Sequence, residues 1–93
     1  MKESTLRTKV LEYLNSLPGC KAIKIHGSAY IEAGTPDVMG CIKGRAFFLE
    51  LKVPGKKPTA IQERRLKEWE AAGAITGVVT SIEEVRAIFS LYI

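Results

Sequence analysis

Residues 34–54 read Gly34-Thr35-Pro36-Asp37-Val38-Met39-Gly40-Cys41-Ile42-Lys43-Gly44-Arg45-Ala46-Phe47-Phe48-Leu49-Glu50-Leu51-Lys52-Val53-Pro54. A short strand from about Asp37 to Ile42 runs into Lys43-Gly44, a turn pair. A strongly apolar strand, Arg45 to Val53, follows and stops at Pro54, which cannot donate to a ladder. If the turn holds two residues, Ile42 faces Arg45 and the numbers of paired residues sum to 87. Asp37 then stands opposite Glu50, with their Cβ atoms about 4.5–5.5 Å apart on one face. Strand periodicity adds Lys52 to that face and sends Leu49, Leu51 and Val53 to the other, toward the core. A three-residue turn would shift the register by one and carry Asp37 to the opposite side, so the meeting of the two acids depends on turn length.

Working outward, Leu6, Val10, Leu14 and Leu17 fall at helical spacing between Ser4 and Leu17, and Pro18-Gly19 ends that segment. Lys21 to His26 alternates, with Ile23 and Ile25 on one side and Lys24 and His26 on the other, which reads as a strand. Residues 27–35 are irregular. Downstream, Pro54-Gly55-Lys56-Lys57-Pro58 is a basic loop, and Thr59-x-x-Gln62 is a capping box opening a helix to Ala72, closed by Gly73. Ala74 to Thr80 reads as a strand. Ser81-x-x-Glu84 is a second capping box, leading a helix whose inner side carries Ile82, Val85, Ile88 and Phe89. The order α-β-β-β-α-β-α predicts a small α/β domain over residues 1–93: a three-strand meander whose fourth strand returns to the same mixed sheet through a crossover helix.

Bulk properties narrow the classes. Ninety-three residues, 46% hydrophobic and 26% charged, suit one small globular core rather than a disordered tail. No apolar run approaches the roughly 18 residues of a membrane helix, and the charged start Met1-Lys2-Glu3-Ser4-Thr5 does not read as a secretory signal. Cys20 and Cys41 form no CxxC and His26 is the single histidine, which argues against a Cys/His zinc site. Reduced thiols in an intracellular protein are the favoured reading, with a Cys20–Cys41 disulfide as the alternative. The net charge of +4 suits a polyanionic partner without requiring one.

Two carboxylates in register repel, and burial would raise the pKa of one. A hard divalent cation, which prefers oxygen ligands, resolves that conflict better than a nearby lysine. A solvated stripe on an open sheet face is the competing account. On a helical wheel Glu3 projects with Leu6, Val10 and Leu14, toward the same region, unless Ser4 caps the helix and leaves Glu3 outside it. Gln62 falls between Leu66 and Trp69 on the inward side of the second helix, as well as serving its capping box.

Gly34-Thr35-Pro36-Asp37, followed after the hairpin by Phe48-Leu49-Glu50-Leu51-Lys52, resembles the PD-(D/E)xK nuclease superfamily. With an acid on the preceding helix, Gln62 on the following one and an Ala-Gly-Ala joint into a strand and final helix, the whole pattern resembles the virus-type replication-repair nuclease family, VRR-NUC. The resemblance runs from Glu3 to about Phe89. It implies a Mg2+- or Mn2+-dependent endonuclease found alone in phages and bacteria or fused within repair nucleases. For the stand-alone members it implies a homodimer cutting branched DNA such as four-way (Holliday) junctions. A cytoplasmic setting, in a bacterium or a phage-infected host, goes with it. By the same resemblance Asp37, Glu50, Glu3 and the Leu51 carbonyl are metal ligands, Lys52 is the catalytic lysine and Gln62 the helix-two glutamine. Nucleases for flaps, nicks or single strands, and a catalytically silent DNA-binding module, are the alternatives.

Lys43, Arg45, Lys56, Lys57 and Arg65, with Arg64 and Lys67, are the basic residues expected to flank such a site and contact phosphates. Interspersed glutamates make a solvated rim the competing account. Tyr30, in the irregular segment, is placed to stack or wedge near a branch point. Trp69 is expected to face the sheet. The apolar end, Ile88 to Ile93, suits either a twofold interface or the chain's own core.

Overall fold

In the computed structural model, which describes residues 2–93, Lys43 and Gly44 both take positive φ, 47° and 86°. That pair of left-handed residues is what a two-residue type I′ hairpin turn requires. The register follows from it. Strand β2 (Val38–Ile42) pairs with β3 (Arg45–Leu51) from Val38↔Leu49 to Ile42↔Arg45. Paired numbers sum to 87, as the two-residue turn predicts.

Strand β1 (Cys20–Lys24) lies antiparallel to β2, and β4 (Ile75–Val79) lies parallel to β3, so the sheet order is β1-β2-β3-β4. Helix α2 (Ala60–Ala71) makes the crossover between β3 and β4. Helices α1 (Glu3–Ser16) and α3 (Ile82–Phe89) cover the other face, where Leu6, Val10 and Leu14 meet Phe47, Leu49, Leu51, Val79, Val85 and Phe89. Phe47 and Phe89 pack edge to face, 4.9 Å between centroids. Fully burying such side chains contributes about 1.5–3 kcal/mol each. The α2 face is thinner: Phe48, Leu66 and Ala74, joined by Ile25 and Val78.

Because β3 is central and covered on both sides, Phe47 to Leu51 are all buried in an unbroken run. That run contains one acid, Glu50.

Four local expectations change. Helix α1 begins one residue earlier than Ser4, on the Lys2 carbonyl, which accepts from Leu6 N–H at 3.1 Å, so Glu3 lies inside the first turn. Strand β1 starts at Cys20 and ends at Lys24, leaving His26 exposed beyond it. Trp69 stacks on Phe48, 3.9 Å between centroids, yet remains 40% exposed because α2 covers only the β3–β4 side of its face. Glu84 completes only half of its capping box: Ser81 Oγ accepts from Glu84 N–H, while the carboxylate accepts from Thr80 N–H at 2.9 Å instead.

The cysteines are free. Cys20 pairs with Ile42 and Cys41 with Lys21, a one-residue offset that puts the two thiols on opposite faces of the sheet. The outer edge of β1 is closed by Asn15, whose Oδ1 accepts from Ala22 N–H at 2.8 Å and whose Nδ2 donates to Ala22 O at 3.0 Å. An edge so capped cannot template another strand at that point.

Candidate active site

Beyond the paired ladder the hairpin opens. Asp37 N–H donates to Leu49 O at 3.1 Å, and Leu51 N–H donates to Asp37 Oδ2 at 2.8 Å. These two bonds lock Asp37 beside Glu50. Pro36, buried, sets the entry of the chain into this bend.

Glu50 is 1% exposed, and among the described residues its Oε1 is the buried side-chain polar atom without a hydrogen-bond partner. Its pKa is pushed up from 4.5 to about 9. Burial is the largest cause, followed by proton sharing with the Asp37 carboxyl and repulsion from its charge; the Lys52 ammonium opposes the shift, and Glu3 adds to it. A buried oxygen without a partner is expensive, on the order of 1–3 kcal/mol. A sheet that tolerates one keeps it for a ligand or a proton.

Glu3 therefore lies near enough for its charge to act on Glu50, but it does not complete a ring. Among the described residues no group of three or more His, Cys, Asp or Glu side chains gathers at metal-ligand spacing. The chain offers two converged carboxylates and a third acid at longer range. Two carboxylates with one unsatisfied buried oxygen fit a hard, oxygen-loving cation. Lys52, half-buried, follows two residues after Glu50 on the same face, and its N–H donates to Val79 O at 3.0 Å, fixing the backbone there.

The remaining expected residues divide. Gln62 spends its side-chain oxygen on the cap of α2, accepting from Thr59 N–H at 2.9 Å, while Thr59 Oγ1 accepts from Gln62 N–H at 3.3 Å. Its amide NH2 is left over. Lys56 and Lys57 are exposed in the loop that leaves Lys52. Lys43 and Arg45 do not flank the acids: antiparallel pairing puts the turn at the far end of the hairpin, with Arg45 about 17 Å from Glu50 at about 3.4 Å per residue and Lys43 farther still. There Arg45 lies over the Tyr92 ring at 5.4 Å. Arg65 is likewise no free cation. Its side chain is 14% exposed; Nε donates to Ala33 O at 3.0 Å and lies 2.9 Å from Glu32, and Nη1 bonds Glu68 at 3.1 Å.

That Arg65 clamp is a site feature the sequence does not announce, because two of its partners, Glu32 and Ala33, lie more than thirty positions upstream. It pins the segment between His26 and Asp37 to α2. Gly34 completes the seam with φ of 81°: a Cβ there would lie 2.8 Å from the Ile61 carbonyl oxygen. The glycine was visible in the motif; its reason was not.

No protein-family model matches this sequence, and no curated protein matches it. Solved structures do. One described as a VRR_NUC domain superimposes with a TM-score of 0.80 at 25% identity, covering 98% of this chain and 97% of its own. A second, described as a VRR_NUC domain protein, gives 0.80 at 18% identity, covering 100% of this chain and 88% of its own. The four-stranded mixed sheet with three helices is thus a nuclease-like α/β fold. The family it supports is VRR-NUC, the one the Pro36-Asp37 and Glu50-Leu51-Lys52 motif resembles, and that fold suggests a nuclease.

Proposed function

We propose that this chain is a Mg2+- or Mn2+-dependent, structure-selective DNA endonuclease acting on branched DNA such as four-way junctions. The observation that carries the reading is the buried Glu50 carboxyl, facing Asp37 with one oxygen unsatisfied. The cation would be held by Asp37 and Glu50, with the Leu51 carbonyl and Glu3 as further donors. When bound it supplies positive charge to the scissile phosphate and acidifies a coordinated water.

The chain's own residues do the rest. Glu50 gives up its shared proton to become a full anion. Asp37, with one oxygen held by Leu51 N–H, has its second oxygen left for the cation. The Lys52 ammonium orients the attacking water and stabilises charge developing on the phosphate oxygens. Gln62 offers its free amide NH2 to water or phosphate, while Lys56 and Lys57 receive the flanking backbone. Symmetric incision of a junction needs two such sites. With a radius of gyration of 12.4 Å one chain spans too little to reach two well-separated strands, so the working unit is a homodimer.

The test is cleavage of labelled four-way junction, flap and linear duplex with Mg2+, Mn2+ or EDTA, alongside the oligomeric state in solution. Junction cleavage that needs the cation and disappears in Asp37→Ala and Lys52→Ala is expected. Cleavage indifferent to chelator, or retained in both variants, would overturn the reading, and junction binding without cleavage would leave a DNA-binding module.

A further inference from the structure

The segment between His26 and Asp37 carries a feature that neither the core nor the acid pair explains. Tyr30 is 99% exposed, a whole aromatic ring in water. Yet the backbone beneath it is tied down. Tyr30 N–H donates to Ser28 Oγ at 3.2 Å, Ile31 N–H to Ser28 O at 3.2 Å, and Thr35 N–H to Glu32 O at 3.2 Å. Farther along, the Arg65 clamp and the close approach of Gly34 to Ile61 fasten the segment to α2. Beside this segment lies a cavity of about 240 Å³, bounded by Ile25, Ser28, Ile31, Gly34, Pro36 and Asp37. Its walls include the apolar side chains of Ile25, Ile31 and Pro36 and the Ser28 hydroxyl; Glu32, paired with Arg65, lines it too, and Asp37 is one of the paired acids.

We propose that this segment holds one unpaired nucleobase of the substrate strand, stacked on Tyr30, which lies in the chain between the cavity-lining Ser28 and Ile31, and close to the scissile phosphate. The inference rests on the nuclease reading above and deepens it. Aromatic stacking accepts any base, since each presents a π face, so Tyr30 reads whether a base is available rather than which base it is. Stacked neighbours in a strand stand about 3.4 Å apart. An occupant of a cavity bounded by Asp37 therefore lies within a nucleotide or two of a phosphate held at Asp37 and Glu50. A base inside an intact duplex has both faces occupied and must be unstacked first, which is easiest at a branch, mismatch or single strand. Selectivity for DNA structure follows from that difference.

Two measurements on the full chain test this. In the first, a four-way junction carries 2-aminopurine at each nucleotide around the branch in turn, and its fluorescence is read on binding in EDTA. One position should change with the natural chain and with Tyr30→Phe, and not with Tyr30→Ala. In the second, Tyr30→Ala should lower kcat/KM about 5- to 150-fold, with Tyr30→Phe within about twofold of the natural chain. An abasic nucleotide at the responsive position should reproduce that loss and add nothing to Tyr30→Ala, the non-additivity of two halves of one interaction. Because the ring is fully exposed, its removal leaves folding intact. Full cleavage by Tyr30→Ala, or no responsive position, overturns the base stacking while leaving the nuclease reading standing. A Tyr30-dependent fluorescence change without cleavage under any cation does the reverse.

Discussion

The β2–β3 hairpin has two ends built from the same ladder and put to opposite uses. At the turn end, Lys43-Gly44 and Arg45 are exposed, and the guanidinium rests on Tyr92 with its donor Nη1 3.3 Å from the phenol oxygen. Everything polar there is wet or paired. At the open end, five residues on, Asp37 and Glu50 are pressed together, one of them 1% exposed and short of a partner. The contacts formed at the turn end brace the fold. The open end works against the fold, and α1, α2 and β4 supply the packing that tolerates it.

The contrast can be broken most forcefully at Glu50. With a pKa of about 9 in the fold against 4.5 for the ordinary side chain, the folded chain holds a proton that the unfolded chain releases. Stability is then full below about pH 4.5 and is lost as pH rises toward 9, at a limiting slope of about 1.4 kcal/mol per pH unit. Thermal melts in EDTA should show that decline, and added Mg2+ should flatten it by taking the place of the proton. Glu50→Gln should abolish the slope and melt about 5–15 °C higher at pH 8 without metal, while cleaving at least about 10²-fold more slowly. A Glu50→Gln chain that melts lower than the natural one in EDTA at pH 8 would show the carboxyl to be a structural asset. No substitution at the turn end should separate stability from activity in this way.

A smaller test asks which end meets DNA. Lys56→Gln with Lys57→Gln should weaken junction binding about three- to tenfold and make the slope of log affinity against log salt shallower by about 0.9 for each phosphate no longer neutralised. Lys43→Gln with Arg45→Gln should leave both within about twofold. A larger effect from the turn-end pair would mean that the substrate lies across the whole hairpin.

How far the sequence reaches follows the same division. Register was legible because Lys43-Gly44 has the chemistry of a two-residue turn and the strand period is two; from there Asp37 opposite Glu50 is arithmetic. Helix and strand order was legible from capping boxes and breakers. What was not legible is tertiary. Ser4 has a better side chain for capping than Lys2, yet burial of Leu6 and Val10 starts the helix earlier and brings Glu3 inside it. Lys43 and Arg45 are close to Glu50 in number, but a strand carries them away in space. Arg65 looked like one more cation of a basic helix, and only the folded chain pairs it with Glu32 and Ala33. Proximity along the chain misleads wherever an extended segment intervenes.

The smallest effect separates two roles that coincide in one side chain. Gln62 caps α2 with its oxygen, and its NH2 group is not used by the cap. Thr59→Ala removes the cap and should cost about 1 kcal/mol of stability, measured by denaturant unfolding, with activity at 25 °C within about twofold. Gln62→Glu keeps an acceptor for Thr59 N–H, since glutamate also completes a capping box, but removes the NH2 donor and sets a negative charge near the phosphate. Its stability should match the natural chain within about 0.5 kcal/mol, and its cleavage rate should fall about threefold or more. If Gln62→Glu cuts normally, Gln62 is a capping residue alone, and the chemistry belongs wholly to the hairpin's open end. If Thr59→Ala slows cleavage as much as Gln62→Glu does, the capped helix end itself carries the effect, and the amide has no separate part in it.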